Sequence, residues 1–371
     1  MQLGTRQVSR EEPRSTSTTQ QRASFDEHEL AHVLGCYDIG VVEYDQEFAR
    51  GTYESAKRLI TTDRGRFLLK RRARGRTSTE SVTFAHKIQN FLVEKSYPTP
   101  HLIGTRGENR SMLRRGDDLY EMYEFVPGER YAPTPDATDE SGRMLAVLHR
   151  LVREAPDVYQ PAASHYHDSA RVRTLLPKLS NQLPDAPGAP SARGRAGEVA
   201  QIVTRVGLAY EAACRAVRSL GLESWPSQII HGDWHPGNLL YHDRKIVAVI
   251  DFDAARSLPP VVDVANGALQ FSMLPGGRDV DAWPDHMDAE RLTAFLAGYD
   301  AMNRLSLDEL RCISPLMIEA LVSETVGPIA AHGHFATLDG FVFLRKMLRR
   351  VRWLEAHAAR LIQDRMRLPQ A

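Results

Sequence analysis

Three side chains in the second half of the chain have the types and the spacing that phosphoryl transfer requires. Residues 231–238 read His-Gly-Asp-Trp-His-Pro-Gly-Asn and include Asp233 and Asn238, and the next apolar run ends at Asp251. A carboxylate such as Asp233 can accept or orient the proton of an attacking hydroxyl group. The amide oxygen of Asn238 and the carboxylate of Asp251 are hard oxygen ligands, which Mg²⁺ prefers beside phosphate oxygens. The sequence therefore predicts Asp233 as the catalytic base and Asn238 and Asp251 as ligands of Mg²⁺.

A predicted β-hairpin would bring the two metal ligands together. Residues 239–241 and 246–250 are apolar runs, and the polar residues 242–245 between them read as a turn. Folding the chain back at this turn would place Asn238 and Asp251 at the same end of the ribbon. One cation could then contact both side chains.

The same segment allows two other interpretations. Asp233 and Asn238 could simply cap a turn, as Asp and Asn often do beside Gly and Pro, but that does not account for a second strand ending in Asp. His231 and His235 have the spacing of two zinc ligands on a helix. The Gly and Pro residues between and after them disfavour a helix, so we predict a structural, backbone-bonded His231.

The motif resembles that of a known superfamily. His-Gly-Asp-x-His-Pro-Gly-Asn followed by Ile-Asp-Phe-Asp is similar to the aminoglycoside phosphotransferase, choline kinase and homoserine kinase-like superfamily, relatives of the protein kinases. The resemblance covers about residues 35–360. It implies an α+β, two-lobed, protein-kinase-like fold, with a small N-terminal lobe built on an antiparallel sheet and a larger, mostly helical C-terminal lobe.

The resemblance also assigns roles to residues and names the cofactors. It implies Asp233 as catalytic base, Asn238 and Asp251 as magnesium ligands, and Asp263 as a structural acid of the C-terminal lobe. ATP or GTP would be the phosphoryl donor, together with Mg²⁺, and a small molecule with a hydroxyl group would be the acceptor.

Two positions differ from regulated protein kinases. Those enzymes carry an Arg before the catalytic Asp, which binds an activation-loop phosphate, whereas this chain has Gly232. The Gly of the Asp-Phe-Gly switch is replaced by Asp253. Both differences favour a small-molecule kinase that needs no phosphorylation over a signalling kinase.

The N-terminal part is predicted to bind the nucleotide phosphates. Residues 41–44, 57–61 and 67–70 read as a meander of strands. Gly51, in the first connection, would let the backbone approach the phosphates, although ordinary turn chemistry also explains a single Gly. Lys70 ends the last strand, where the resemblance places the lysine that pairs with the α- and β-phosphates, although ordinary solvated charge is the other interpretation.

The partner of Lys70 and the adenine contacts are further predictions. A helix is predicted over 79–94, and the position where an acid is expected is Ala85. Glu80 is the substitute, although an acid in the first turn of a helix also suits the helix dipole. Residues 119–126 resemble the last strand of the small lobe running into the hinge of such kinases, where backbone groups from Glu124 to Val126 would bind adenine; an ordinary edge strand is the alternative.

Length and composition indicate an ordinary globular protein. The 371 residues include 42% hydrophobic and 25% charged residues, and Lys plus Arg equals Asp plus Glu. A formal charge of zero provides no general attraction for nucleic acid or for an anionic membrane. The three cysteines indicate a reduced interior, so we expect a cytoplasmic protein. No continuous apolar run of membrane-spanning length occurs, and no membrane partner is expected.

The predicted organisation has four parts. Residues 1–24 would be a disordered tail, 25–127 the nucleotide-binding lobe and 128–371 the catalytic and acceptor-binding lobe, with 183–197 a flexible insertion rich in Pro, Gly and Ala. Helices are predicted over 290–302, 308–331 and 341–362. Acids on these helices that could face a cationic or amino-bearing acceptor are Asp300, Glu319 and Glu324.

The sequence therefore predicts an ATP- and Mg²⁺-dependent phosphotransferase that acts on a hydroxyl group of a small polar molecule. Amino alcohols, choline or ethanolamine, sugars and aminoglycosides all stay open as acceptors. The alternative is a pseudokinase that binds nucleotide and serves as an interaction module. The intact Asp233, Asn238 and Asp251 favour the enzyme.

Overall fold

The chain forms two compact units. The computed structural model describes residues 22–49, 54–75, 78–155, 165–274, 276–277 and 279–367. The first unit contains residues 1–76 and 103–123, and the second contains 77–102 and 124–371. Residues 77–102 thus group with the second unit, whereas the division after residue 127 that the sequence suggested would put them in the first. The predicted tail lies almost wholly outside the described residues.

The first unit is a twisted sheet with one helix packed on it. Its five strands run in the order β1-β2-β3-β5-β4. The elements are α1 (Glu27–Gly35), β1 (Val42–Glu47), β2 (Ala56–Thr62), β3 (Gly65–Arg71), β4 (Leu113–Arg115) and β5 (Asp118–Glu124). The antiparallel β1–β2–β3 meander that the sequence predicted is confirmed.

Local chemistry explains these elements. Asp26 caps α1 by accepting a hydrogen bond from the backbone N–H of Glu29 at 2.8 Å. One face of the strands buries Ile60, Leu69 and Met122 against the apolar side of α1, and Lys70 lies on the other face because strand side chains alternate. This small core holds the sheet that carries Lys70.

The second unit is mostly helical and contains residues 231–238, the predicted catalytic segment. Its helices are α2 (Thr79–Glu94), α3 (Pro135–Leu151), α4 (Ala170–Leu175), α5 (Leu179–Gln182), α6 (Ala196–Ser219), α7 (Val261–Ser272), α8 (Ala289–Met302), α9 (Leu307–His332), α10 (Gly340–Trp353) and α11 (Ala359–Arg367). Its strands form three short antiparallel pairs, which are β6 (Gln228–Ile230) with β9 (Arg256–Leu258), β7 (Leu239–His242) with β8 (Lys245–Val249), and β10 (His334–Phe335) with β11 (Leu338–Asp339). The predicted helices over 79–94, 290–302 and 308–331 are confirmed. The helix predicted over 341–362 is interrupted by a π-helical turn at Leu354–Ala358.

Close packing of α3 and α8 forms the centre of this unit. Gly142 of α3 lies against the carbonyl oxygen of Phe295, and Gly298 of α8 lies against that of Asp139. A side chain at either position would collide with backbone. The two glycines therefore allow the backbones of α3 and α8 to approach closely.

Helix α9 is the long core helix of the second unit. It begins with a capping box formed by Ser306 and Glu309 and contains Pro315 and Pro328. Among the described residues it alone is long and apolar enough to cross a membrane, by length and composition only. Because 72% of its apolar window is buried inside the unit, its apolar character is that of a core helix.

The segment 183–197 was predicted to be a flexible insertion, and the structure corrects this. It contains two short 3₁₀ turns and the start of α6, and Leu183, Ala189 and Ala192 are buried. The carbonyl oxygen of Gly188 accepts a hydrogen bond from the N–H of Gly340 at 3.1 Å. Small residues at these turns allow tight packing against the neighbouring helix, so the Pro- and Gly-rich composition here reflects close contact.

Candidate active site

The catalytic segment 231–238 connects β6 to β7 and is anchored to α3. Its Trp234 side chain is fully buried, and the indole N–H donates to the hydroxyl oxygen of Ser141 at 3.0 Å. Burial of so large a side chain, with its one polar atom satisfied, fixes the middle of the loop. The polar residues on either side of Trp234 are thereby held at the surface of the unit.

Asp263, at the start of α7, holds the beginning of the segment. Its carboxylate accepts hydrogen bonds from the backbone N–H of His231 at 2.8 Å and of Gly232 at 2.9 Å, and His149 Nε2 lies 3.3 Å away. Asp263 is only 1% exposed. Gly232 has φ +78°, and a Cβ there would collide with the carbonyl oxygen of Ala254. This position therefore requires glycine, and Asp263 is positioned as the structural acid that the resemblance implied.

Asp233 is held in its ionised form at the entrance of a cleft. Its Oδ2 accepts from the Asn238 amide Nδ2 at 3.1 Å, and His235 Nε2 lies 3.4 Å away. Burial favours the neutral acid, yet the hydrogen bond and charge of His235, together with the Asn238 amide, outweigh burial and lower the pKa of Asp233. A carboxylate in this state can accept or orient a hydroxyl proton at neutral pH.

The hairpin predicted from the sequence is present and brings Asn238 and Asp251 to one end. Strands β7 and β8 pair antiparallel, with Leu239 opposite Val249, and the N–H of Ile250 donates to the carbonyl oxygen of Asn238 at 3.0 Å. Asp251 has left-handed backbone angles, φ 67° and ψ 67°. A non-glycine residue in this conformation is strained by roughly 1–3 kcal/mol, and such strain concentrates at functional sites.

The oxygen atoms at this end of the hairpin are suitable ligands for a divalent cation. The Asp251 side chain is exposed and has no hydrogen bond or ion pair with another described residue. The Asn238 amide N–H₂ is already used by Asp233, which leaves the amide oxygen as the free end. One carboxylate and one amide oxygen fit Mg²⁺, which keeps few protein ligands and completes its shell with phosphates and water.

The zinc interpretation of His231 and His235 receives no support. His231 is buried, and its Nε2 lies 3.2 Å from the carbonyl oxygen of Ile250, as predicted for a structural histidine. His235 Nδ1 accepts from the N–H of Gly237 at 2.9 Å. In the described part of the chain, no group of three or more His, Cys, Asp or Glu side chains could hold a metal ion.

Asp233 opens onto a cleft of about 610 Å³ within the second unit. Its polar lining comes from the ends of β6 and β9 and from one face each of α4, α7 and α9. The lining residues with ionisable or amide groups are His165, Tyr166, Arg171, Asp233, Arg256, Asp263, Asn266, Glu324 and His332. The cleft is open to solvent and large enough for a small polar molecule.

The three acids proposed to face an acceptor have different positions. Glu324 lines the cleft with Asp233. Glu319 is fully buried, bonded to His167 Nδ1 at 2.9 Å and to the N–H of Asp168 at 2.8 Å, so it cannot contact an acceptor. Asp300 accepts from the N–H of Leu305 at 2.8 Å and does not line the cleft. Glu324 alone fits the expectation.

Partial desolvation by the walls of the cleft raises the pKa of Glu324 to about 7, although the side chain itself is exposed. The hydrogen bond from Gln270 opposes this rise, and the negative charge of Asp233 adds to it. Although the side chain contacts cleft water, the surrounding protein removes much of its solvation.

The first unit contains Lys70 in the predicted strand. Lys70 lies on β3, and its Nζ is 3.6 Å from Oε2 of Glu121 on β5. Glu121 also pairs with Arg72 at 2.7 Å and is fully buried. A carboxylate thus lies beside the predicted phosphate-binding lysine within the same sheet. Gly51, predicted to approach the phosphates, lies outside the described residues.

The other predicted nucleotide contacts lie in the second unit. Glu80 is in the first turn of α2, directly after the N-cap Ser78, where the helix dipole favours an acid. Glu124 ends β5, and its N–H donates to the carbonyl oxygen of His101 at 2.9 Å. Only its carbonyl group therefore stays available for adenine. Val126 lies in the irregular segment that follows.

Sequence reasoning missed several residues that the structure places beside the predicted ones within each unit. They are Glu121 beside Lys70, His235 beside Asp233, and Asn266, Gln270 and Arg256 around the cleft. The spacing of Asp263, Asn266 and Gln270 could have indicated the last group, since residues three and four apart share a helix face. No local pattern in β5 distinguishes Glu121.

Comparison with known proteins agrees with this geometry. The profile of the phosphotransferase enzyme family APH matches residues 45–307, well over half of the chain. The chain belongs to this family. It is therefore a phosphotransferase, as the sequence predicted, and the resemblance to that superfamily is confirmed.

Curated relatives of this family member are named kinases. Stress response kinase A of Salmonella paratyphi A is 24% identical over 265 residues, which is 70% of each chain. Homoserine kinase of Phenylobacterium zucineum is 24% identical over 314 residues, covering 82% of this chain and 81% of the relative.

Solved structures confirm the kinase-like α+β fold. A microcompartment-associated aminopropanol kinase has a TM-score of 0.66 at 16% identity, covering 91% of this chain and 98% of that structure. An aminoglycoside phosphotransferase from Alicyclobacillus acidocaldarius has a TM-score of 0.65 at 16% identity, with coverage of 95% and 99%. An amicoumacin kinase in complex with AMP-PNP and Ca²⁺ has a TM-score of 0.63 at 14% identity, with coverage of 90% and 94%.

Proposed function

We propose that the chain transfers the γ-phosphoryl group of ATP, or of GTP, to a hydroxyl group of a small polar molecule in the presence of Mg²⁺. The observation that carries this proposal is the grouping of an ionised Asp233 with Asn238 and with an exposed Asp251. The family, and the solved neighbour that contains AMP-PNP and Ca²⁺, support a nucleotide and a divalent cation as cofactors.

In this proposal each residue has one task. Asp233 orients the acceptor hydroxyl and takes its proton as the new oxygen–phosphorus bond forms. Asn238 and Asp251 would hold Mg²⁺, which neutralises charge on the phosphate oxygens when it is bound. Asn238 also donates to Asp233, so it fixes the base and the metal ligands relative to one another. Lys70 would contact the α- and β-phosphates and Glu121 would hold Lys70 in place.

The acceptor is proposed to be a small molecule. The cleft beside Asp233 has the size of a small-molecule site. Relatives and structural neighbours are named for homoserine, aminopropanol and amicoumacin as substrates, although one relative is named a serine/threonine protein kinase.

We also propose a cytoplasmic location, where ATP and reduced cysteines occur together.

Calorimetry of nucleotide binding tests the metal assignment. Wild-type protein should bind ATP tightly only when Mg²⁺ is present, and Asp251→Ala should lose this dependence because Asn238 alone carries no charge. Asp364→Ala, an exposed position on α11, is the matched control and should bind as wild type does. Unchanged affinity for MgATP in Asp251→Ala would show that the metal is held elsewhere.

A further inference from the structure

A second cavity adjoins the cleft beside Asp233. It has a volume of about 380 Å³ and opens between α4 and α9. Four of the residues that line it also line the cleft, and these are Arg171, Leu175, Gly327 and Ala331. We call this cavity the side groove, and the residues that line the side groove alone are Ala170, Thr174 and Ala330. A ligand that fills the cleft can therefore extend into the side groove.

The lining of the side groove is small and apolar. Its residues lie on one face each of α4 and α9, at the spacing of three or four positions that a helix face requires. Only Arg171 among them carries a charge, and the hydroxyl group of Thr174 donates within its own helix, to the carbonyl oxygen of Ala170 at 2.9 Å. The cleft, by contrast, is lined by carboxylates such as Asp233 and Glu324. The two spaces thus suit chemically different ends of one molecule.

Gly327 leaves open space where the cleft and the side groove meet. Glycine inside a helix is unfavourable, because it loses more conformational freedom on folding than any other residue. Packing does not require it here, since a Cβ at this position would lie 3.7 Å from the nearest described atom outside the backbone of its own helix, Nη2 of Arg171. Nor does the following proline require it, since Ser314 precedes Pro315 in the same helix. The absence of a side chain at Gly327 therefore keeps room for a ligand.

Arg171 lines the junction without closing it. Its side chain is exposed, and its guanidinium carbon would lie 3.9 Å from a Cβ at Gly327. Exposed arginines keep the charged end in water while their methylene groups cover apolar surface. Arg171 thus adds apolar stem atoms to the lining, and the volume of the side groove is present with this side chain in place.

A buried amide indicates which space holds the polar end of a ligand. Asn266 lines the cleft and is only 6% exposed, yet its Oδ1 has no hydrogen-bond partner in the part of the chain that the structure describes. Buried polar atoms in native proteins are nearly always paired. None of the described residues that line the side groove alone has such an unpaired buried atom. The need for a polar partner is therefore confined to the cleft.

We propose that the acceptor is amphipathic, with its hydroxyl-bearing polar end in the cleft beside Asp233 and an apolar group, a short alkyl chain or a ring, in the side groove. The acceptor is the occupant because the side groove is continuous with the cleft in which its hydroxyl group reacts. The inference rests on the proposed function, since it identifies the substrate class of the same site.

The expected effect on the kinetics follows from apolar burial. Each methylene group placed in the side groove should strengthen binding roughly two- to fourfold, the range for partial to complete removal from water. The side groove lies away from the reacting atoms, so these contacts are the same in the ground state and in the transition state. They should lower KM and leave kcat nearly constant.

A panel of homologous acceptors tests the inference on the wild-type enzyme. Alkane-1,2-diols, 2-amino-1-alkanols and alkyl β-D-glucosides supply three different polar ends, each with apolar chains of increasing length. In at least one series KM should fall roughly two- to fourfold per added methylene group and reach a plateau when the side groove is full. Turnover that is independent of chain length, or best without a chain, in every series would overturn the inference and would leave the side groove to a partner protein.

Two substitutions fill the side groove from opposite sides. Thr174→Phe on α4 and Gly327→Leu on α9 should each reduce the advantage in kcat/KM of the longest acceptor over the shortest by roughly 10-fold or more. Thr204→Phe is the matched control, since Thr204 is also exposed, donates to the carbonyl oxygen four residues earlier at 2.8 Å and lines neither space. Urea unfolding identifies the variants that fold. An unchanged advantage in a folded variant would contradict the inference.

Binding without turnover separates this inference from the proposed function. In protein with ¹³C-labelled alanine methyl groups and MgADP, hexane-1,2-diol should shift the NMR signals of Ala170 and Ala330, whereas ethane-1,2-diol at the same concentration should not. If the two diols have equal effects while some acceptor is phosphorylated, the inference fails and the proposed function stands. If MgATP binds and no hydroxyl compound is phosphorylated, the proposed function fails, and the shifts alone decide whether the side groove binds apolar groups.

Discussion

Replacing Asp263 by Asn tests how the catalytic segment is held. The buried carboxylate accepts from two backbone N–H groups, of His231 at 2.8 Å and of Gly232 at 2.9 Å. An amide has one oxygen and one NH₂ group, so in either orientation one backbone N–H loses its acceptor and faces a donor. His149, the third neighbour, cannot relieve both contacts.

The expected cost follows from those contacts. Losing a hydrogen bond to a charged group costs about 1.5–3 kcal/mol, and leaving a buried N–H unsatisfied adds about 1–3 kcal/mol. Asp263→Asn should therefore lower the free energy of unfolding by roughly 2.5–6 kcal/mol, a large part of the usual total of about 5–15 kcal/mol. Because Gly232 precedes Asp233, phosphoryl transfer should fall as well.

Urea unfolding followed by tryptophan fluorescence measures this cost, because the buried Trp234 lies in the same segment. Asp243→Asn is the matched control, since Asp243 is exposed in the hairpin turn and Asn tolerates its φ of 46°. That control should stay within about 0.5 kcal/mol of wild type. A loss below about 1 kcal/mol in Asp263→Asn would refute the reasoning that this carboxylate anchors the loop.

Three further predictions concern single side chains. In Gly232→Ala the added Cβ would collide with a backbone carbonyl oxygen and the alanine would have left-handed backbone angles, so the free energy of unfolding in urea should fall by at least about 2 kcal/mol. Gly197→Ala, in open space on a helix, should be neutral or stabilising, and equal effects of the two substitutions would contradict the geometry. The pKa of Glu324 is raised to about 7, so ionisation of this carboxyl destabilises the fold. Between pH 5 and pH 8 the free energy of unfolding of wild type should fall by about 1 kcal/mol relative to that of Glu324→Gln, after allowance for screening by cleft water. A difference between the two proteins that does not change with pH would show that the shift is absent. Glu121→Gln leaves Lys70 and Arg72 without their shared buried carboxylate, so it should cost about 3–5 kcal/mol and weaken MgATP binding. The exposed Glu43→Gln is the control, and unchanged thermal unfolding would exclude this role of Glu121.

The catalytic segment could be predicted from the sequence because its chemistry is local. Asp233 and Asn238 lie in one loop, and a turn between two apolar strands suffices to bring Asp251 to the same end. The β1–β3 meander was equally readable, since strand alternation and turn residues are properties of neighbouring positions.

Contacts between distant segments could not be read in this way. Glu121 lies beside Lys70 because β5 is next to β3 in the sheet, and sequence order does not reveal that neighbour relation. Arg256 reaches the space beside Gly232 only because β9 pairs with β6. The segment 183–197 was misjudged for a related reason, since Pro and Gly mark both mobile loops and tightly packed turns and only the surroundings distinguish them.

The function of the chain depends most directly on Asp233. The decisive measurement is the transfer of ³²P from the γ-position of ATP to a hydroxyl acceptor, compared between wild type and Asp233→Asn at saturating Mg²⁺. The variant should bind MgATP with unchanged affinity and transfer phosphate roughly 10²–10⁴-fold more slowly, the range for a positioned acid–base group. Turnover close to that of wild type, or no labelled acceptor with either protein while MgATP still binds, would contradict the assignment, and the second result would favour a pseudokinase that binds nucleotide without transferring it.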